Sequence, residues 1–494
     1  MKWGNAITYL AETRVQGRGT RFGIKDADRT HHLALLGRPG SERVPFLTNM
    51  ILQDIERGVG VLVLDAGGDL TQALLERMPH AAEERLIVLD PSDGEHPYSW
   101  NPIDDFRALP EEAAVPMLAD MLASVYQCDD GPLTSRAAGY LLAHPEATFL
   151  FLYNIVADQK ARERLLSKSG PEREAFESAF VQSPDAVVSI KEYGQYLGKD
   201  TLMRNLLGQG VSKFTLSTLG KQGAVVIVDL SHIRMFPTRV TPLTRLILSA
   251  ARAEADANPF AVYMHDCLRY LSERNLERIL LDRNIALTVS DTSHGEESVF
   301  REKLLQRAGS VAAFVPQEED MHLVGRAVYP YVAAEELAKL GEGELIIALA
   351  IDSVRSRPFY ARALPFPPRS GISAQDLRLA SRERYSIPRL AAEKLFKVKE
   401  EPEKKKEDAD SFSGAFRSIF AKRATDAPPS KPADIQTPAP PASPLPPPAT
   451  GAPKPPEKKK PDMDGVVRDK APAEPPEIPE GQLKKMLHVG KPPE

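Results

Sequence analysis

Cysteine is almost absent from this chain. Its 494 residues include two, Cys128 and Cys267, which are too few for a disulfide framework or for a zinc site built from cysteine alone. A long protein with so few thiols and no disulfide framework is typical of a reducing compartment, so we expect a cytoplasmic protein.

Long apolar runs and a strong net charge are also missing. No stretch of about 18 uninterrupted apolar residues occurs, and polar residues such as Asn5 and Glu12 interrupt the first residues, unlike a signal peptide. The 63 Lys and Arg against 68 Asp and Glu give a formal net charge of -5. This balance excludes a globally basic nucleic-acid coat but leaves local basic patches open.

Proline is unevenly placed, with about half of the 43 prolines lying from Pro402 onward. Because proline removes backbone donors and this region has little apolar area, we expect residues 400–494 to be a disordered tail with polyproline II character. Two islands, 411–423 and 480–489, carry apolar residues near helical spacing and are predicted to bind protein partners. The alternative is that each island is an unstructured apolar stretch.

Residues 21–370 are predicted to form an α/β fold. Continuous apolar runs indicate strands that are covered on both faces, as in a mostly parallel sheet, and helical patterns separate several of them. A helical insertion over 104–205 divides the sheet into segments 21–103 and 206–370. An N-terminal arm over 1–20 and a helical extension over 371–399 flank it. The predicted strands lie in HHLALLG, GVGVLVLDA, ERLIVLD, GAVVIVDL, PFAVYMHD, NIALTVSD, GSVAAFVP and GELIIALAI.

The loop after the first predicted strand has the context of a phosphate-binding loop, which is strand, glycine-bearing turn and helix. Gly37, Gly40 and Ser41 match the pattern of glycine, four residues, glycine, lysine and a hydroxyl residue. Glu42 replaces the second glycine, Arg43 replaces the lysine, and Val44 replaces the hydroxyl residue.

These three replacements oppose nucleotide binding. A carboxylate at Glu42 about 4 Å from a phosphate oxygen, at an effective dielectric of about 20, repels it by about 4 kcal/mol. Val44 offers no oxygen to magnesium, and the planar guanidinium of Arg43 does not reproduce a lysine ammonium. Taken alone, such a loop is more typical of an ordinary strand–turn–helix.

Short motifs surround the loop in a definite order. They are RFGI (21–24), DRTHH (28–32), DAGGDL (65–70), MP (78–79), NP (101–102), RN and GQ (204–209), DLS (229–231), HDC (265–267), SRPF (356–359) and LP (364–365). Over about residues 20–370 this ordered set resembles the type IV secretion coupling-protein family of the HerA–FtsK group of P-loop ATPases. More closely, it resembles the bacterial proteins with a type IV secretion DNA-binding domain.

The resemblance implies a RecA-like motor domain that forms a hexameric ring and moves DNA through its pore. It also implies that Asp266 and Cys267 stand where the second acidic motif has Asp-Glu, that Asp291 stands at the γ-phosphate sensor, and that Arg283 lies near an arginine-finger position. A thiol at Cys267 does not replace a glutamate base. The phosphate cradle, magnesium ligand, base and sensor are therefore all altered, which indicates degenerate Walker A and Walker B motifs and a pseudo-ATPase.

The sequence thus predicts a catalytically inactive homologue of conjugative DNA-transfer coupling ATPases that acts as a structural, regulatory or DNA-binding subunit. Expected partners are an active paralogue or other secretion components, reached through the tail, with DNA and a homo-hexamer as further expectations. The chain would then be cytoplasmic and held at the inner membrane only through partners. No nucleotide cofactor and no metal are expected.

Two other functions remain open on the sequence. One is an active DNA-translocating motor whose Arg43 holds the phosphates of Mg·ATP. The other is a non-catalytic DNA-binding module in which Arg14, Arg18 and Arg21 contact the phosphate backbone, although a solvated basic arm has the same composition.

Overall fold

The computed structural model describes residues 3–15, 18–166, 170–254, 259–292 and 298–395; the predicted tail lies outside them. The strands are β1 (Ile7–Val15), β2 (Arg18–Lys25), β3 (Leu33–Leu36), β4 (Gly60–Asp65), β5 (Leu86–Leu89), β6 (Val225–Asp229), β7 (Phe260–His265), β8 (Ile285–Asp291), β9 (Ser310–Ala313), β10 (Glu344–Ala348), β11 (Ala350–Ile351), β12 (Val354–Arg355) and β13 (Phe359–Ala363).

The helices of the insertion and those around the sheet are numbered together in chain order. They are α1 (Asp26–Arg29), α2 (Arg43–Glu56), α3 (Asp69–Leu75), α4 (Glu111–Tyr126), α5 (Pro132–Ala143), α6 (Phe151–Ala157), α7 (Gln159–Leu165), α8 (Pro171–Gln182), α9 (Pro184–Gly198), α10 (Thr201–Leu207), α11 (Leu219–Gln222), α12 (Pro237–Ala251), α13 (Glu273–Leu281), α14 (Ser298–Arg307), α15 (Met321–Val328), α16 (Ala334–Leu337), α17 (Ala374–Tyr385) and α18 (Arg389–Leu395). In the described part of the chain, none of these helices has both the length and the hydropathy to cross a bilayer.

An eleven-stranded mixed sheet organises the described residues, in the order β2-β1-β13-β10-β9-β3-β8-β7-β4-β6-β5. The seven strands from β9 to β5 are parallel, and the four from β2 to β10 extend the sheet by antiparallel pairing. The predicted α/β class is confirmed. Because β8 lies between β3 and β7, the loop after β3 and the residues after β7 meet across the end of β8.

Both faces of the parallel strands are buried, as their continuous hydrophobicity predicts. In β4, Leu62 and Leu64 belong to one core cluster, whereas Val61 and Val63 belong to another on the opposite face. Helices α4 to α10 all lie between β5 and β6 in the sequence, so the insertion leaves the sheet after one parallel strand and returns to the neighbouring one.

The first residues differ from the predicted arm, because β1 and β2 form a hairpin that continues the sheet beyond β13. Leu10 and Phe22 are fully buried in it. Two polar residues, Thr8 and Thr13, are buried as well, and the pairing register shifts between Tyr9 and Ala11. The apolar alternation that reveals a strand is therefore interrupted twice.

A buried carboxylate joins the two chain segments that connect the insertion to the sheet. Asp105 is fully buried; it accepts hydrogen bonds from Trp100 Nε1 at 2.8 Å and from the amide of Ser217 at 2.7 Å. Burial raises the pKa of Asp105 to about 7, although these hydrogen bonds oppose the rise. The entry and exit of the insertion are thus held together by a group that titrates near neutrality.

Asp105 should make the stability of the protein depend on pH. A carboxyl whose pKa is higher in the folded state stabilises the fold at acidic pH, and this contribution is lost as the pH rises from about 4 towards 7. We expect the free energy of unfolding of the native chain, relative to Asp105→Asn, to fall by about 2 kcal/mol between pH 5 and pH 8. Urea unfolding at the two pH values measures this difference, and an equal difference at both would contradict the assignment.

Candidate functional site

The carboxyl edge of the parallel strands brings the altered loop and the acidic residues together. The loop 37–42 follows β3 and leads into α2, Asp266 follows β7, and Ser290 and Asp291 end β8. In open α/β sheets this edge is where ligands bind.

Two glycines give the loop its course. A Cβ at Gly37 would lie 2.6 Å from Ser41 Oγ and 3.1 Å from Phe314 Cβ, so a larger residue there would force these neighbours to shift. Gly40 has a φ of 75°, in the left-handed region that favours glycine. The loop thus keeps its turn even though the residues that contact a nucleotide are replaced.

Arg43 fills the space between the loop and the strand ends. Its side chain is 5% exposed, and Nη1 lies 3.1 Å from Asp266 Oδ1. The same nitrogen donates a hydrogen bond of 2.8 Å to Ser290 Oγ. The guanidinium is therefore anchored to the strands on either side of the site rather than directed towards solvent.

The loop amides and the first helical residues are also engaged. The amide of Ser41 donates to Arg38 O at 3.1 Å, and the amide of Arg43 donates to Ser41 O at 2.7 Å, so two N–H groups that could contact an anion bind loop carbonyls instead. Val44 packs against the core. Glu42 stands at the helix start without capping it, leaving a carboxylate at the end of a helix dipole.

Asp266 is held by several donors. It lies just beyond the end of β7 with a φ of 53°, and its Oδ1 accepts hydrogen bonds from the amide of Thr292 at 2.9 Å and from Thr292 Oγ1 at 3.1 Å. Burial raises the pKa of Asp266, but the charges of His265 and Arg43 outweigh that effect and hold it below its ordinary value. Asp266 is an ionised partner for Arg43.

Cys267, which is predicted to stand at the position of the glutamate base, is fully buried. Its Sγ donates to Leu64 O at 3.4 Å and to His265 O at 3.2 Å. Burial raises the pKa of Cys267 well above its ordinary value, and the charges of Asp65 and Asp266 raise it further. A neutral thiol in this place neither activates a water nor acts as a nucleophile.

His265 joins the site to α3. Its Nε2 lies 3.1 Å from Asp69 Oδ1, and its Nδ1 lies 3.3 Å from Ser290 Oγ. Burial lowers the pKa of His265, but the hydrogen bond to Asp69 and the charges of Asp266 and Asp65 raise it overall. The strand ends before Asp266, so His265 and Asp266 approach to 3.8 Å instead of facing apart as alternation within a strand predicts.

One cluster among the described residues has the composition of a metal site, namely Asp65, Asp69 and His265, whose ligand atoms lie within 4.8 Å of one another. Both oxygens of Asp65 already accept backbone hydrogen bonds, from Gly67, Gly68 and Thr71. We therefore interpret the cluster as a hydrogen-bonded network, buried at Asp65 and His265 and exposed at Asp69, that fixes the start of α3.

Asp291, the residue predicted at the γ-phosphate sensor position, ends β8 next to Ser290. Asp291 is buried beside Arg301, with Nη1 of the arginine 3.8 Å from Asp291 Oδ2 and its Nε 3.1 Å from Asp320 Oδ1. The residue of β8 that contacts Arg43 is Ser290, the neighbour of Asp291. Successive residues of a strand point to opposite faces, and this rule could have identified Ser290 once the register of β8 was known.

The remaining predicted residues lie away from this edge. Arg283 precedes β8, at the opposite edge of the sheet, where Nη1 lies 3.0 Å from both Thr30 O and His31 Nδ1. Arg21 forms an exposed ion pair of 3.0 Å with Glu12. Arg14 and Arg18 are in β1 and β2, and their side chains lie outside the described part of the structure.

The fold is that of coupling proteins. The conjugative coupling protein TrwB in complex with sulphate matches 71% of this chain and 89% of its own at 12% identity, with a TM-score of 0.51. TrwB in complex with the ATP analogue ADPNP matches 75% of this chain and 98% of its own at 12% identity, with a TM-score of 0.51. VirB4 of Thermoanaerobacter pseudethanolicus matches 74% and 98% at 14% identity with a TM-score of 0.47.

The sequence comparisons find no relative: neither a family model nor a curated protein matches the chain. The likeness to TrwB therefore rests on three-dimensional structure. It confirms, at the level of the fold, the coupling-protein resemblance and the RecA-like sheet that the motif order predicts.

The residues present do not fit the magnesium nucleotide that such a fold implies. The side chain of Arg43 is already bound to Asp266, which is therefore engaged in an internal ion pair, and Val44 supplies no oxygen. Glu42 adds negative charge beside the phosphate position. No catalytic step through Mg·ATP can be built on these groups.

Proposed function

We propose that this protein is a coupling-protein homologue that neither binds nor hydrolyses nucleotide. It acts as a structural or regulatory subunit of a DNA-transfer or secretion machine. The observation that carries this proposal is the bond of Arg43 to both Asp266 and Ser290. An internal cation there takes the place of the cation and phosphate that an ATPase binds.

The proposal accounts for both the preserved and the lost parts of the site. Gly37 and Gly40 maintain the turn and the parallel strands form a continuous sheet, so the fold is present without the groups that would act on a nucleotide. A subunit that forms or supports a ring needs the shape of the fold. Only a motor needs the glutamate general base that Cys267 replaces.

ATP turnover tests this proposal. We expect the purified full chain to hydrolyse Mg·ATP at the background rate with or without DNA, and Arg43→Ala to leave that rate unchanged. Arg38→Ala, which removes an exposed arginine of the same loop, is the matched control. Turnover above background that is lost in Arg43→Ala but kept in Arg38→Ala would show a working motor with an unusual loop.

A further inference from the structure

An open cleft runs through the helical insertion. Helices α5 and α8 form its walls, the start of α4 closes one end, and its volume is about 710 Å³. Small residues line both walls, Gly139 on α5 and Ala175 and Ala179 on α8. A Cβ at Gly139 would have no neighbour within 4 Å, so the space beside this residue is open. The volume lies within the roughly 300–1,000 Å³ of clefts that bind ligands.

The aromatic residue of the cleft is held in a fixed position. Tyr140 lines the cleft, and its hydroxyl donates a hydrogen bond of 3.0 Å to Leu165 O. Its ring stacks on His144 and on Phe151, with centroids 3.8 and 4.2 Å apart. Because this ring is already ordered, an apolar side chain can pack on it at little cost in conformational entropy, and a second aromatic ring gains more than the burial of its area.

The rim of the cleft is acidic. Glu111 and Glu172 line it against a single arginine, Arg136. Burial raises the pKa of Tyr140, and the negative charges of Glu172 and Glu146 raise it further, so this charge acts inside the cleft. The cleft therefore favours an apolar ligand that carries positive charge.

A loop of the same chain has the complementary character. Arg234, Met235 and Phe236, which we call the apolar loop, lie between β6 and α12. All three are exposed, Met235 by 79% and Phe236 by 50%, and no acidic residue occurs between positions 230 and 252. Adjacent exposed apolar side chains are typical of surfaces that bind other proteins.

Several contacts hold the apolar loop in place. Arg234 O accepts a hydrogen bond of 2.9 Å from the hydroxyl of Tyr270. The guanidinium of Arg239 lies over the ring of Phe236, 5.0 Å from its centroid, and Nε of Arg239 donates a hydrogen bond of 2.8 Å to Asp200 Oδ2. The charge of Arg239 is therefore balanced within the chain, and Arg234 carries the positive charge of the apolar loop.

We propose that the apolar loop of one copy of this chain inserts into the cleft of a second copy. Met235 and Phe236 pack on Tyr140 between the small residues of the walls, and Arg234 meets the acidic rim. Because two different surfaces bind each other, the contact is heterologous, and copies can be added until a ring closes. The proposal goes beyond the proposed function, since it involves neither the loop 37–42 nor Arg43.

Sedimentation velocity of the full chain tests the proposal. We expect the native chain to self-associate as its concentration rises, and Phe236→Asp to do so about thirtyfold more weakly, because it loses an aromatic anchor. Gly139→Trp, which fills the open space of the cleft, should have the same effect. Phe366→Asp is the matched control and should associate like the native chain, because Phe366 is another exposed phenylalanine with an arginine over its ring.

Mixing the two variants identifies the two surfaces. Phe236→Asp keeps the cleft and Gly139→Trp keeps the apolar loop, so we expect their mixture to form a dimer of one copy of each and no larger species. Arg234→Glu should weaken association of the native chain, and adding Glu172→Arg should restore it, since this exchanges the charges across the contact.

Three results would overturn the proposal. The first is a native chain that stays monomeric at every concentration. The second is equal self-association of the native chain and of Phe236→Asp, or loss of association in the control Phe366→Asp. The third is a dimer that forms in Phe236→Asp alone or in Gly139→Trp alone as readily as in their mixture, which would show that one surface pairs with itself.

Discussion

Restoring the phosphate loop should give this protein a nucleotide site. We expect Glu42→Gly/Arg43→Lys/Val44→Thr to bind Mg·ATP about a thousandfold more tightly than the native chain, since removing a repulsion of about 4 kcal/mol corresponds to that factor. Glycine also permits close approach of the backbone to phosphate. Threonine supplies a magnesium ligand, and lysine cannot span Asp266 and Ser290 as the guanidinium does.

Equilibrium binding of a fluorescent ATP analogue measures this gain. Val44→Thr alone is the control, because it adds the hydroxyl while Glu42 and Arg43 stay in place, and it should bind no better than the native chain. The triple variant should still lack turnover because Cys267 remains a neutral thiol. A folded triple variant with the affinity of the native chain would show that the loop is not what excludes nucleotide.

Removing the carboxylate of Asp54 should strongly destabilise the fold. Asp54 is fully buried and binds both terminal nitrogens of Arg29, at 2.6 and 2.7 Å, and it also accepts a hydrogen bond of 2.5 Å from Tyr263. Burial raises the pKa of Asp54, but the charge of Arg29 holds it below its ordinary value. Asp54→Asn removes the closer of the two carboxylates beside the buried guanidinium and leaves only Asp26, 3.7 Å from Arg29 Nη1; breaking a buried pair in this way costs about 3–5 kcal/mol.

Urea unfolding of the two proteins measures this loss of free energy. Glu12→Gln is the control, because it breaks an ion pair with Arg21 that is exposed on both sides, and exposed pairs contribute at most about 1 kcal/mol. A loss below about 1 kcal/mol for Asp54→Asn would contradict a structural role for the Arg29–Asp54 pair, which links α1 to α2.

The parallel strands could be predicted because their hydrophobicity is continuous. Runs such as GVGVLVLDA and GAVVIVDL became β4 and β6, since strands buried on both faces carry apolar residues at every position. The hairpin of β1 and β2 could not be found in this way, because Thr8 and Thr13 are buried and a register shift breaks the alternation. The β-branched and aromatic residues of β1, including Ile7 and Tyr9, were the remaining signal.

The sequence predicts which residues the loop of the candidate site contains, but it does not predict which distant residues they contact. The sequence shows that Glu42, Arg43 and Val44 replace a phosphate-binding set, since the loop is local. The partners of Arg43 lie more than 200 residues away, and only the strand order brings them together. For the same reason neither the contact of Ser290 with Arg43 nor the pairing of Asp291 with Arg301 could be inferred from the sequence.

Calorimetric titration of the native full chain with Mg·ATP tests the central claim most directly, because the claim is that Arg43 takes the place of the metal and the phosphate. We expect no binding heat at millimolar nucleotide, a concentration at which even a weak site with a Kd of about 1 mM, or 4 kcal/mol, is partly filled. Saturable binding of Mg·ATP by the unaltered chain, weakened by Arg43→Ala, would contradict the account.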